Sequence, residues 1–126
     1  MGTDARWDGG VAIVDDEYQL VDIYRNILQM KGIPVCFVAY DGSEAVRQFA
    51  GHNPKPEVVL MDYRMPTLDG IQAMKEILSI GKTKVVFISA DEGVREEACR
   101  AGAVLFLQKP ASIKDIICAV EKAAAM

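Results

Sequence analysis

Four short stretches of this 126-residue chain place reactive side chains directly after apolar runs: VDDE with Asp15 and Asp16, LMDYRMP with Asp62, FISAD with Ser89, and FLQKP with Lys109. If these residues meet, three carboxylates, a hydroxyl and an ammonium share one site. Carboxylates held together repel, and a hard divalent cation with oxygen ligands relieves that repulsion. Mg2+ suits so sparse a set, because it needs only one or two carboxylates beside water and phosphate oxygens; Mn2+ is the expected substitute. A carboxylate beside the metal can attack a phosphoryl donor in line and form an acyl phosphate. Lys109 would then supply positive charge to the phosphoryl oxygens, and the Ser89 hydroxyl a hydrogen bond.

Gathering such distant residues requires a fold that brings strand ends together. The runs Val11–Val14, Val35–Ala39, Val58–Met61, Val85–Ile88 and Val104–Leu107 are almost continuously apolar, as strands buried on both faces are. Between them, apolar residues recur at helical spacing: Leu20, Ile23, Tyr24, Ile27 and Leu28; Ala45, Val46 and Phe49; Ile71, Met74, Ile77 and Leu78; Ile113, Ile116, Ile117 and Val120. The helix expected over Val94–Ala101 is the weakest, being short, highly charged and closed by Gly102. This alternation predicts an α/β fold with a doubly wound parallel sheet, whose ligand sites lie beyond the carboxyl ends of the strands. Any one Asp at such an end serves more often as a helix N-cap; the joint pattern at four ends is what points to chemistry.

The rest of the chain narrows the function. Residues 1–10, MGTDARWDGG, are read as a mobile tail with Trp7 in or near it, ahead of one domain over residues 11–126. This opening lacks the apolar middle of a signal peptide, and Arg6 stands where a myristoylation site needs Ser or Thr. With 14 basic and 18 acidic residues, net charge −4 and no basic cluster, direct nucleic-acid binding is not expected. Nor is a membrane partner, since no apolar run approaches the ~18 residues of a span. Cys36, Cys99 and Cys118 have neither disulfide nor zinc spacing, which suits a reducing cytoplasm; they are expected in the core or on helix faces, Cys118 partly exposed. His52, the single histidine, is read as a solvated loop residue, and Met65-Pro66 and Asp69-Gly70 as turn formers.

Taken together, the motifs resemble the receiver domain of response regulators in two-component signalling, of the single-domain chemotaxis or sporulation type. The similarity runs from Val11 to Ala125 and rests on the acidic pair, Asp62 followed by x-x-Met-Pro-x-x-Asp-Gly, Ser89-Ala90, and Lys109-Pro110. It implies a flavodoxin-like (βα)5 sandwich with strand order 2-1-3-4-5. By the same resemblance, a histidine kinase or phosphotransfer protein donates to Asp62. Asp16 ligates Mg2+ directly and Asp15 mainly through water, with Asp62 and the Arg64 backbone carbonyl completing the set. Ser89, Ala90 and Lys109 take the phosphoryl oxygens, and Lys109-Pro110 is cis. Signalling follows when the Ser89 hydroxyl moves and Phe106 turns inward, changing the face made by the fourth helix, fifth strand and fifth helix toward a downstream protein. Many relatives carry Tyr where this chain has Phe106, so burial and shape carry the readout here. Arg64 and Asp91 flank the path of attacking water and are expected to pair and slow dephosphorylation. Such a chain is a phosphoacceptor, not an enzyme in the ordinary sense; it assists its own phosphorylation and slow autodephosphorylation, as a monomer or weak phosphorylation-dependent dimer.

Three other readings use the same residues. A phosphatase with an aspartyl phosphate intermediate resembles D-x-D, whose second Asp is the acid–base, but Arg64 stands there. A flavodoxin-like electron carrier wants a hydroxyl- and glycine-rich phosphate loop where this chain has DDEY. A pseudo-receiver that binds partners without phosphorylation predicts a damaged acidic pocket, and this one is complete.

Overall fold

Val11–Val14 and Val58–Met61 offer no polar side chain to water, and both become fully buried strands, β1 and β3. The computed structural model describes residues 7–126. The elements alternate: β1, α1 (Tyr18–Met30), β2 (Val35–Ala39), α2 (Gly42–Gly51), β3, α3 (Gly70–Ile80), β4 (Lys84–Ser89), a 3-10 turn (Glu92–Val94), α4 (Arg95–Ala101), β5 (Leu105–Gln108) and α5 (Ile113–Ala124). All strands are parallel, in the order β2-β1-β3-β4-β5. The flavodoxin-like sandwich is therefore the architecture found. Because side chains alternate along a strand, Ala12, Val14, Val59 and Met61 pack under α2, α3 and α4, while Val11, Ile13, Val58 and Leu60 pack under α1 and α5.

Strand order reverses between β1 and its neighbours, so the ends of β1 and β3 lie side by side at the switch point. Val14 pairs with Met61, which leaves Asp15 and Asp62 as the next residue on each strand. Likewise Ser89 pairs with Gln108, one residue before Lys109. The register thus delivers every chemistry-bearing side chain to one edge.

Several sequence expectations are corrected by packing. Of the tail expected over residues 1–10, residues 1–6 lie outside the described residues, but Trp7 is 5% exposed and belongs to the same buried cluster as Val11, Ile33 and Ala123. The following backbone is tied down too: the Gly10 N–H donates to the Trp7 carbonyl, and the Gly10 carbonyl accepts from the Glu57 N–H. Ile23 and Ile113 are exposed although the helical period put them on core faces; α1 turns Val21 inward in place of Ile23. β5 begins at Leu105, because the Val104 N–H donates to the Val85 carbonyl before the ladder opens. His52 is half-buried at the C-cap of α2, its Nδ1 2.8 Å from the Gln48 carbonyl and its ring 4.8 Å from that of Phe37. Cys99 is exposed as well as Cys118, while Cys36 is half-buried with its thiol pushed up to about 11 by burial. Among the described residues no helix is long and apolar enough to cross a membrane.

Candidate functional site

Asp15 and Asp62 sit at the ends of central strands and are almost entirely buried, whereas Asp16 faces solvent. Asp15 does not cap α1. Its Oδ1 accepts the Glu17 N–H at 2.9 Å, while Glu17, the N-cap residue, makes no side-chain cap. Asp62 extends the β1–β3 ladder, donating its N–H to the Val14 carbonyl at 2.9 Å. Each of Asp15, Asp16 and Asp62 offers a carboxylate oxygen, and these lie within 4.8 Å of one another.

Lys109 reaches into this cluster from the end of β5. Its Nζ is 3.0 Å from Asp15 Oδ2, 3.2 Å from Asp62 Oδ1 and 3.5 Å from Glu17 Oε1. The Lys109-Pro110 bond is cis, as the resemblance implied. Burial by itself would lower the lysine's pKa, but the hydrogen bond to Asp15 and the charges of Asp62 and Asp15 hold it above its ordinary value. The carboxylates are still under-compensated. Burial raises Asp15 against the opposing pull of the Glu17 N–H and Lys109. Burial and then the Asp15 charge push Asp62 up to about 6, more than Lys109 offsets. A buried, crowded set of hard oxygen donors with one exposed carboxylate fits a hard divalent cation such as Mg2+, which would add the missing positive charge.

Opposite the lysine, Ser89 is 2% exposed and its Oγ accepts the Asp91 N–H at 3.1 Å. Asp91 pairs with Arg64 at 3.2 Å, as their opposite charges suggested; the Arg64 side chain is 81% exposed, so the pair adds little stability. A cleft of about 300 Å3 is lined by Asp16, Glu17, Asp62, Arg64, Ser89, Ala90, Asp91 and Lys109. It brings together the expected site residues apart from the buried Asp15 and Phe106. Phe106 lies farther in, 7% exposed, its ring parallel to that of Phe87 at 6.3 Å.

The turn after Asp62 is braced from below. Asp69 caps α3 with a reciprocal box to Gln72, the Gly70 N–H donates to the Tyr63 carbonyl at 2.7 Å, and Thr67 Oγ1 accepts the Ser43 N–H at the start of α2. Thr67 adopts φ 69, a left-handed conformation that sequence reasoning did not foresee. At Gly70 a Cβ would run into the carbonyl oxygen of Asp62 itself. Gly70→Ala is therefore expected to push the Asp62 backbone off its place and destabilise by about 2 kcal/mol or more, roughly 8 °C in melting temperature for this length. A calorimetric midpoint equal to wild type would show that the turn can give way. Glu17 on Lys109 also escaped sequence reasoning; its place next to the acidic pair was the available signal.

Residues 11–121 match the response regulator receiver domain. The chain belongs to that family. This receiver is 33% identical to the chemotaxis protein CheY of Bacillus subtilis over 115 residues, covering 89% of this chain and 94% of CheY. It is 38% identical to the transcriptional regulatory protein PdtaR of Mycobacterium tuberculosis, covering 90% of this chain and 55% of PdtaR, so the receiver spans about half the length of that relative. Among solved structures, the crystal structure of the CheX-CheY-BeF3-Mg2+ complex from Borrelia burgdorferi aligns with TM-score 0.84 and 30% identity, over 89% of this chain and 86% of that one. Receiver domains are signalling modules of two-component systems that bind Mg2+ at an acidic pocket and interact with histidine kinases or phosphotransfer proteins.

Proposed function

We propose that residues 11–126 form a phosphoacceptor unit in which Asp62 takes a phosphoryl group from the phosphohistidine of a histidine kinase or phosphotransfer protein. The observation that carries this reading is the Lys109 ammonium held between Asp15 and Asp62 at the floor of an open cleft. Asp15, Asp16, Asp62 and the Arg64 carbonyl would hold Mg2+, or Mn2+ in its place. That ion, when bound, supplies positive charge against the phosphoryl oxygens.

This chain's own residues do the remainder. With its pKa near 6, Asp62 is mostly ionised at pH 7 and can act as the nucleophile. Its carboxylate oxygen forms the new bond to phosphorus as the donor's P–N bond breaks and the electron pair returns to the imidazole. Lys109 transfers its hydrogen bond from the carboxylate to a phosphoryl oxygen, and Ser89, whose Oγ accepts the Asp91 N–H, donates its hydroxyl proton to another, with Ala90 lining the same cleft. Phe106 is already buried while Ser89 Oγ accepts the Asp91 N–H, so engagement of Ser89 by the phosphoryl group would stabilise that packing rather than open it, and the α4–β5–α5 face changes toward a downstream protein. Arg64 and Asp91, paired across the cleft mouth, hinder attacking water and set a slow decay. Free thiols exposed at Cys99 and Cys118 suit the cytoplasm as the working compartment.

Intact mass after incubation with Mg2+ and acetyl phosphate tests the assignment. One phosphoryl addition is expected in wild type and none in Asp62→Asn; an adduct persisting in the variant overturns it. Arg64→Ala combined with Asp91→Ala should then shorten the adduct's lifetime, and an unchanged decay rate removes these two residues from the account.

A further inference from the structure

Phe106 has a contact that phosphotransfer leaves unused. The Arg95 guanidinium lies 4.7 Å from the centroid of its ring. Arg95 opens α4 and is gripped by Glu92 through two bonds, Nε to Oε1 at 2.6 Å and Nη2 to Oε2 at 3.2 Å. A fork of this kind fixes both the plane and the direction of a guanidinium, and a cation over an aromatic face is attracted by the ring's quadrupole. Glu92 is itself held in place: it begins the 3-10 turn whose entry Asp91 caps, accepting the Gly93 N–H at 3.0 Å. Asp91 in turn binds Arg64 and donates its N–H to Ser89. A continuous line of contacts therefore runs from the cleft through Asp91, Glu92 and Arg95 to Phe106. The ring is 7% exposed, parallel to that of Phe87 at 6.3 Å and covered by Arg95, while Ser89 Oγ is engaged by the Asp91 N–H, so its burial does not depend on that hydroxyl having moved.

We propose that Arg95, oriented by Glu92, is a positioning residue for Phe106, covering the ring and biasing it toward the buried orientation independently of Asp62. Its regulatory meaning rests on the phosphoacceptor reading above. Phenylalanine has no hydroxyl to anchor it, and its negative ring face is the surface that attracts a cation. Arg95 takes hold of that face from the first turn of α4. When the ring leaves, the guanidinium keeps Glu92 but loses its aromatic base, so the position of the ring and the charge displayed at the start of α4 change together.

The test uses the full chain labelled with 4-fluorophenylalanine, with the Phe106 fluorine resonance assigned by Phe106→Leu and the ring populations read in EDTA without a phosphodonor. Arg95→Ala and Arg95→Met should raise the outward population roughly two- to fivefold. Arg95→Lys should do so less, since charge remains near the ring, and Glu92→Gln should move it in the same direction. If the Phe106 signal is unchanged in Arg95→Ala and Arg95→Met, the proposal is overturned. It is overturned equally if Arg95→Met behaves as wild type while Arg95→Ala does not, because apolar bulk and not the guanidinium would then be holding the ring. Failure of Asp62 to gain a phosphoryl group in the mass experiment would strike the phosphoacceptor reading and leave these populations to decide on Arg95.

Discussion

Asp62→Asn is expected to melt at a higher temperature than wild type in EDTA at pH 7. Asp62 is the more strongly perturbed of the two buried carboxylates: burial and the neighbouring Asp15 raise it from 3.8 to about 6 despite the Lys109 contact. A carboxyl whose folded pKa exceeds its unfolded value binds more protons in the folded state between the two, so stability falls as pH rises through that window, from about 4 to 6. Above it the full penalty is present. Allowing for solvent screening at the open cleft, removal of the charge is worth on the order of 1–2 kcal/mol, roughly 4–8 °C. Asparagine keeps the shape and an acceptor for Lys109 without the charge. The advantage should shrink as pH is lowered and vanish below about pH 4, where both forms are neutral. Mg2+ should stabilise wild type by binding only the folded state, by about 2.7 kcal/mol at a hundredfold excess over Kd. Asp16→Ala should lose most of that response. Melting curves at matched ionic strength between pH 4 and 8 decide the matter: a variant no more stable than wild type at pH 7 would mean that the acidic cluster is not strained, and Mg2+ shifting Asp16→Ala as much as wild type would mean that the cluster is not the metal site.

The opposite sign is expected at Lys109. Its ammonium lies within 3.0 Å of Asp15 and 3.2 Å of Asp62, whose side chains are 2% and 8% exposed. Lys109→Ala leaves both carboxylates buried with no cation between them, and breaking a buried pair from one side destabilises by about 3–5 kcal/mol. A fall of 10 °C or more is the corresponding melting shift. Phosphorylation from acetyl phosphate should slow by about a hundredfold, because a positioned cation on the phosphoryl oxygens is lost. The two effects separate in a double-mutant cycle. Asp62→Asn placed on Lys109→Ala should restore much of the stability and none of the phosphorylation. Additive melting shifts in the double variant would show that lysine and aspartate do not compensate each other, and the electrostatic account of the cleft would fall with them.

Some of this was written along the chain. Short apolar runs separated by stretches of helical spacing point to strands alternating with helices. The central β1, β3 and β4 are buried on both faces as the pattern suggests, whereas β2 and β5, at the sheet edges, are only partly buried. Element order, the parallel sheet and the reactive residues at the strand ends therefore follow from local pattern, because solvent and backbone hydrogen bonding act on a few consecutive residues at a time. The paired strand ends then bring Asp15 and Asp62 side by side through register.

Tertiary structure decided what pattern does not encode, namely which side chains touch across long separations. Lys109 is 94 residues from Asp15 and still meets it, since strand order and not sequence distance sets neighbours. Trp7 carries no periodic signal, so it read as tail, yet it joins the buried cluster formed with α1 and α5, which only the folded core creates. Ile23 and Ile113 obeyed the helical period and remained exposed, because their helices turn other residues inward. Arg95 reads as one charge on a charged helix until β5 places Phe106 beneath it. In each case the deciding quantity is a distance between elements, which depends on how whole layers pack and has no representation in any single stretch of sequence.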